Sequence, residues 1–160
     1  MREITELTGG DADWVESLIK TLGTLGVPTE PASLDEFLED ARRTWTSASD
    51  PQPLINLIGA GLGDHLATRL SLGWVNVSDS RGERLALYGE SDRTLAFPLD
   101  AVARRWAGER GSLMQYANAT SAAFTRIRSA VAIAGPPLKI RPTRPCEAPL
   151  APRCDASVDR

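Results

Sequence analysis

Leu72 to Glu90 reads LGWVNVSDSRGERLALYGE, and the period of its apolar residues decides the fold. Trp74-Val75-Asn76-Val77 and Leu85-Ala86-Leu87-Tyr88 carry the two-residue period and residue types of strands. Between them, Asp79-Ser80-Arg81-Gly82 predicts a turn, because Asp hydrogen-bonds back onto its own backbone and Gly takes positive φ. After GESDR, Thr94-Leu95-Ala96-Phe97 reads as another strand. Connections this short force antiparallel neighbours, since a parallel crossover needs about a dozen residues. The expectation is a three-stranded antiparallel meander.

Upstream the period is helical. Asp13 and Glu16 are spaced as a capping box before Trp14, Val15, Leu18, Ile19 and Leu22. Ser33 and Glu36 repeat that spacing before Leu34, Phe37, Leu38, Ala41 and Trp45. A third helix, capped by Asp50 and opened by Pro51, runs to about Leu70. Within it, Gly59, Gly61 and Gly63 lack the strand and spacing of a dinucleotide cradle, and Asp64 would repel phosphate. Close packing by neighbouring chain explains them better. Downstream, Pro98 opens a helix with Leu99, Val102 and Trp106 on one side. A longer helix follows with Leu113, Ala117, Thr120, Phe124, Ile127 and Val131. The fold class is therefore α+β: N-terminal helices, the meander, and C-terminal helices packed on the sheet.

A chain of 160 residues, 42% hydrophobic and 24% charged, suits one soluble domain with a sizeable core. Residues 1–134 form that domain, and residues 135–160 read as a Pro-rich disordered tail with a mildly basic balance. Both cysteines, Cys146 and Cys154, fall in the tail and are expected as reduced thiols; a Pro142-x-x-Pro145 pattern there is common by chance. The small net charge of −3 gives no reason to expect nucleic acid or an anionic membrane as partner. With no secretory pattern at the N-terminus and no apolar run long enough for a membrane span, a cytoplasmic location is the expectation.

Leu62-Gly63-x-x-Leu66, Leu70, Trp74-Val75-x-Val77-x-Asp79-x-x-Gly82 and Pro98-x-x-x-Val102-x-Arg104-Arg105 together resemble an uncharacterised family. It is the domain-of-unknown-function family thirty-eight-oh-six, of actinobacterial type. The resemblance spans about residues 10–130 and is clearest over 57–106. It implies an intracellular bacterial domain with helices about a small sheet, and it carries no assigned activity, cofactor or catalytic residue.

The candidate site residues are Arg105, Asp79, Arg104, Trp74, Tyr88 and His65. His65 is the only histidine, which rules out His-rich metal sites; it is expected at the edge of a helical stripe with its ring N–H bonded. Arg104 is expected to pair with Asp100 four residues earlier on its helix. Trp74 is expected in the core. Arg105 is expected to meet Asp79 at the sheet edge as one half of a bidentate pair. No nucleophile–base pair, metal set or phosphate loop emerges, so no catalytic residue, metal or cofactor is assigned. The leading expectation is a non-enzymatic protein-binding or accessory module, with immunity-like proteins as one compatible class. The alternative is a small-ligand sensor or enzyme with an Arg105-centred anion site at the sheet edge, beside Trp74, Tyr88 and Asp79.

Overall fold

The computed structural model describes residues 3–90 and 93–134. The tail, with its expected disorder, cysteines and proline motif, lies outside the described residues. The elements run β1 (Glu3–Glu6), α1 (Gly9–Thr24), α2 (Pro31–Thr44), α3 (Gln52–Leu70), β2 (Gly73–Asp79), β3 (Gly82–Gly89), β4 (Thr94–Ala96), α4 (Pro98–Trp106) and α5 (Leu113–Ala134). The mixed helix-and-sheet class holds. No described helix is long and apolar enough to cross a membrane.

Helix α3 is the hub. Its residues from Leu57 to Gly63 are all buried, so it is a central rather than a surface helix. Its three glycines serve three neighbours: a Cβ at Gly59 would press on Leu99 of α4, one at Gly61 on Leu22 of α1, and one at Gly63 on the Trp74 ring and Pro98. The close-packing reading of these glycines is what the structure shows. Trp74 joins the main core as expected, half-buried, with its ring seated in the notch at Gly63.

The sheet has four strands in the order β1-β2-β3-β4, all antiparallel, not the three expected. The additional strand, Glu3-Ile4-Thr5-Glu6, pairs with β2 through Ile4↔Val77 and Glu6↔Val75. It is exposed throughout and offers one apolar residue, so hydrophobic periodicity cannot reveal it. The row Trp74, Leu87 and Ala96 faces α3. Val75, Val77 and Ala86 form a second cluster on the opposite face with Tyr88, Leu95 and Phe97. The hairpin turn forms as read: Asp79 Oδ1 accepts from Arg81 N at 2.8 Å, and Gly82 has φ +102°.

Three helix starts differ from expectation, the smallest difference being that of α3, which begins at Gln52 with Pro51 rather than Asp50 as its N-cap residue. The capping box of α1 is Thr8 and Asp11, not Asp13 and Glu16; Thr8 Oγ1 accepts from Asp11 N at 3.2 Å. Asp11 Oδ2 also accepts from Asn76 Nδ2 of β2 at 2.9 Å, fastening the helix start to the sheet. These bonds, from Thr8 foremost and then Asn76, hold the Asp11 carboxyl below its ordinary range. Helix α2 starts at Pro31 rather than after Ser33, because proline at the first position is already set at helical φ.

The last two helices also divide their roles. Helix α4 lies against α3 and reaches β3, whereas α5 packs chiefly on α2, α3 and α4. Both C-terminal helices were expected on the sheet. The apolar stripe of α5 explains the difference: Leu113, Ala117 and Phe124 are absorbed by the helical core.

Candidate functional site

Helix α4 ends in two arginines and a glycine hook. Glu109 N donates to Arg104 O and Gly108 N to Arg105 O, with Gly108 at φ +95°, the two bonds of a Schellman cap. This hook turns the chain back over the last turn of α4. As a result Arg104, Arg105 and Arg110 line one cavity of about 320 Å³ with Tyr116, Gln115 and a single carboxylate, Glu109.

The three arginines are held differently. Arg105 is the anchored one: its Nη2 lies 2.5 Å from Glu39 Oε1 on α2, and Glu39 also takes Arg42 Nη1 at 3.2 Å. The Nε of Arg105 is buried and has no hydrogen-bond partner. Arg104 is exposed and only loosely paired, with Nε 3.8 Å from Glu109 Oε2. Arg110 is exposed and forms no ion pair among the described residues. The nearby start of α5 is closed to ligands. Asp35 accepts from Leu113 N at 2.8 Å and Met114 N at 3.1 Å, while Ser112 and Gln115 bond each other's backbone N–H. The positive end of that helix is thus neutralised by the protein itself, and the arginines supply the cavity's charge.

The remaining candidates separate. Asp79 does not meet Arg105. Its Oδ2 accepts from Arg84 Nη2 at 2.7 Å, while Arg84 Nη1 reaches Asp100 Oδ2 at 2.5 Å and the guanidinium lies over the Phe97 ring, 4.6 Å from its centroid. Arg84 therefore claims both carboxylates expected for Arg105 and Arg104. Its position explains this: it leans from β3 toward the first turn of α4, between the two acids. Burial alone would lower the Arg84 pKa, but hydrogen bonds to Asp100 and Asp79 outweigh it and raise the value. Trp74 and Tyr88 instead line a cleft at the end of the sheet together with Glu6 and Glu90, whose charges oppose an anion. His65 is half-buried on α3, and its Nε2 is buried without a hydrogen-bond partner. Among the described residues no group of three or more His, Cys, Asp or Glu is placed to hold a metal ion.

Arg105 therefore does not stand where an anion site was expected. Arg105 sits at the junction of α2, α4 and α5, not at the sheet edge with Asp79, Trp74 and Tyr88. Arg110, Glu39 and Tyr116 were not among the candidates. Arg110 had a signal, a third arginine just beyond the glycine after α4. Glu39 had none, because it stands 66 residues from its partner.

The family model described as Domain of unknown function (DUF3806) matches residues 35–116. The chain belongs to that family. The DUF3806 segment begins at the α5-capping Asp35 and ends at Tyr116, so it holds Glu39 and all three arginines of the cavity, while β1, α1 and most of α5 lie outside it. It is narrower than the span of the resemblance. No curated protein and no solved structure matches the chain at a significant level.

Proposed function

We propose that this DUF3806 protein is a non-enzymatic protein-binding module of a bacterial cytoplasm, and that it holds an acidic segment of its partner in the arginine-lined cavity. The observation that carries this reading is the convergence of Arg104, Arg105 and Arg110 on one concave surface whose lining has a single carboxylate, Glu109, although Arg105 is also paired with Glu39 of α2. The chain as a whole gives it contrast, for its net charge is −3. A basic concavity on an acidic body focuses field on one place and steers an acidic partner there.

Magnitudes favour a polypeptide over a small free anion. Ion pairs at exposed side chains contribute about 0–1 kcal/mol each. Three of them fall short of the roughly 4 kcal/mol that even millimolar affinity needs. An extended partner adds buried area that a lone anion lacks. An immunity-like role, neutralising an acidic surface of another protein, is compatible with this geometry.

One observation favours the second reading, a sensor or enzyme for a small anion. The buried N–H at Arg105 Nε has no hydrogen-bond partner, and a compact oxyanion is a natural acceptor for such a donor.

Calorimetric titration separates the two. A glutamate-rich decapeptide is expected to bind with an affinity that falls as salt rises, a lysine-rich decapeptide not to bind, and Arg110→Glu to weaken the acidic peptide at least tenfold. Equal binding of both peptides, or no effect of Arg110→Glu, overturns the proposal. Pyrophosphate binding more tightly than the peptide establishes the second reading instead.

A further inference from the structure

The arginine cavity does not end at Tyr116. On the other side of Arg104 and Tyr116 lies a second cavity of about 230 Å³, walled by Leu95, Ala96 and Phe97 of the β4 segment and by Ala123 and Phe124 of α5. Arg104 and Tyr116 line both cavities, so the two are neighbouring compartments of one groove along α5. Tyr116 is fixed as the divider because its hydroxyl accepts from Phe97 N at 3.2 Å. From these facts we infer that the groove reads a bipartite peptide motif: an acidic residue at Arg104, Arg105 and Arg110, and a leucine- or phenylalanine-sized side chain in the apolar compartment. This inference rests on the acidic-segment reading above and adds the identity of the motif.

The spacing within the motif follows from the helix that lines the groove. Leu113, Gln115, Tyr116 and Ala119 border the basic compartment, and Tyr116, Thr120, Ala123 and Phe124 the apolar one. The two sets are centred about five residues apart, or roughly 8 Å at 1.5 Å per residue. An extended ligand covers that distance in about two to three residues at 3.3 Å each. The division of labour is also physical. Charge at the open end brings the partner in but contributes little once solvated, whereas a side chain drawn from water into the apolar compartment gains in proportion to its buried area. Selectivity among acidic sequences then comes from the apolar residue, not from the acid.

The test uses the full chain and fluorescein-labelled decapeptides on a Gly/Ser background. Each carries two adjacent glutamates, with leucine placed one to five residues away, and binding is read by fluorescence anisotropy. The expected optimum is a separation of two or three, with affinity about tenfold to a hundredfold above the peptide in which serine replaces leucine. Ala123→Gln, which fills the apolar compartment, should erase the leucine advantage and leave the acid-dependent binding in place. Leucine and serine peptides that bind alike, or a leucine advantage independent of spacing, overturn this inference while the acidic-segment reading stands. Failure of every acidic peptide to bind overturns both. The spacing series needs no substitution in the protein, so it decides the matter even if Ala123→Gln does not fold.

Discussion

Gly63 stands where α3 meets the sheet, and the Trp74 ring occupies the volume that any larger residue would need. Two opposing effects act on Gly63→Ala. Helix propensity gains about 1 kcal/mol, while forcing a methyl into a ring that cannot retreat costs about 1–3 kcal/mol. Gly63→Ala should therefore destabilise by up to about 2 kcal/mol, and Gly61→Ala by less, because there the obstacle is the flexible end of Leu22. Trp74→Ala alone should cost about 3 kcal/mol. In the Trp74→Ala background the obstacle is gone, so Gly63→Ala should become stabilising; urea unfolding of the four proteins in this cycle measures it. Additive effects would mean that the ring and the glycine are not in contact. The glycines' role was legible in the sequence, because each one weakens a helix and only close approach by a neighbour offsets three in one apolar run. The partners of the arginines were not. Any of several carboxylates could pair with Arg105, and only the three-dimensional approach of α2 selects Glu39.

Between elements, Arg84 joins β3 to the turn before it through Asp79 and to α4 through Asp100. Asp79 is 13% exposed and Arg84 19%, so that arm of the fork is largely sheltered from solvent and from salt, whereas Asp100 is 41% exposed. Removing the cation leaves the Asp79 carboxylate buried beside the hairpin, and Arg84→Met should cost about 2–3 kcal/mol, near the low end for a broken sheltered pair. Its denaturation midpoint should fall below wild type by a margin that changes little between low and high salt. An unchanged midpoint would reduce the fork to a surface contact. At this scale the elements with long apolar periodicity were readable: the hairpin, α3 and α5. Strand β1 was not, since it joins the sheet by backbone pairing, is exposed throughout and offers a single apolar residue, Ile4. Its two glutamates blunt an edge strand against further pairing. The start of α2 was misplaced by one turn because Ser33-x-x-Glu36 satisfies the capping pattern while Pro31 starts the helix earlier.

Across the whole molecule, Tyr116 links the fold to the groove, and it carries a pH signature. Burial foremost raises its pKa above the ordinary 10.0. The folded state therefore keeps the phenol neutral after the unfolded chain has begun to ionise. Stability from this group is intact below pH 10 and declines as pH rises from there through the folded-state pKa. Urea midpoints at pH 9 and pH 11 should show that decline in the wild type and a smaller one in Tyr116→Phe. Equal declines would place the alkaline sensitivity elsewhere. The site was half legible in the sequence: Arg104 and Arg105 were singled out, but their meeting with Arg110 depends on the glycine hook after α4, and Asp79, Trp74 and Tyr88 were drawn in by sequence proximity to the hairpin rather than by space. The central claim is that this arginine cavity is where the protein binds. The most direct measurement is a two-dimensional NMR titration of the arginine Nε–H and tryptophan indole N–H signals with a glutamate-rich peptide. The account predicts saturable shifts at Arg104, Arg105 and Arg110 with the Trp74 indole unmoved. A shift of the Trp74 indole while the three arginines stay still would contradict it and place binding in the cleft at the end of the sheet.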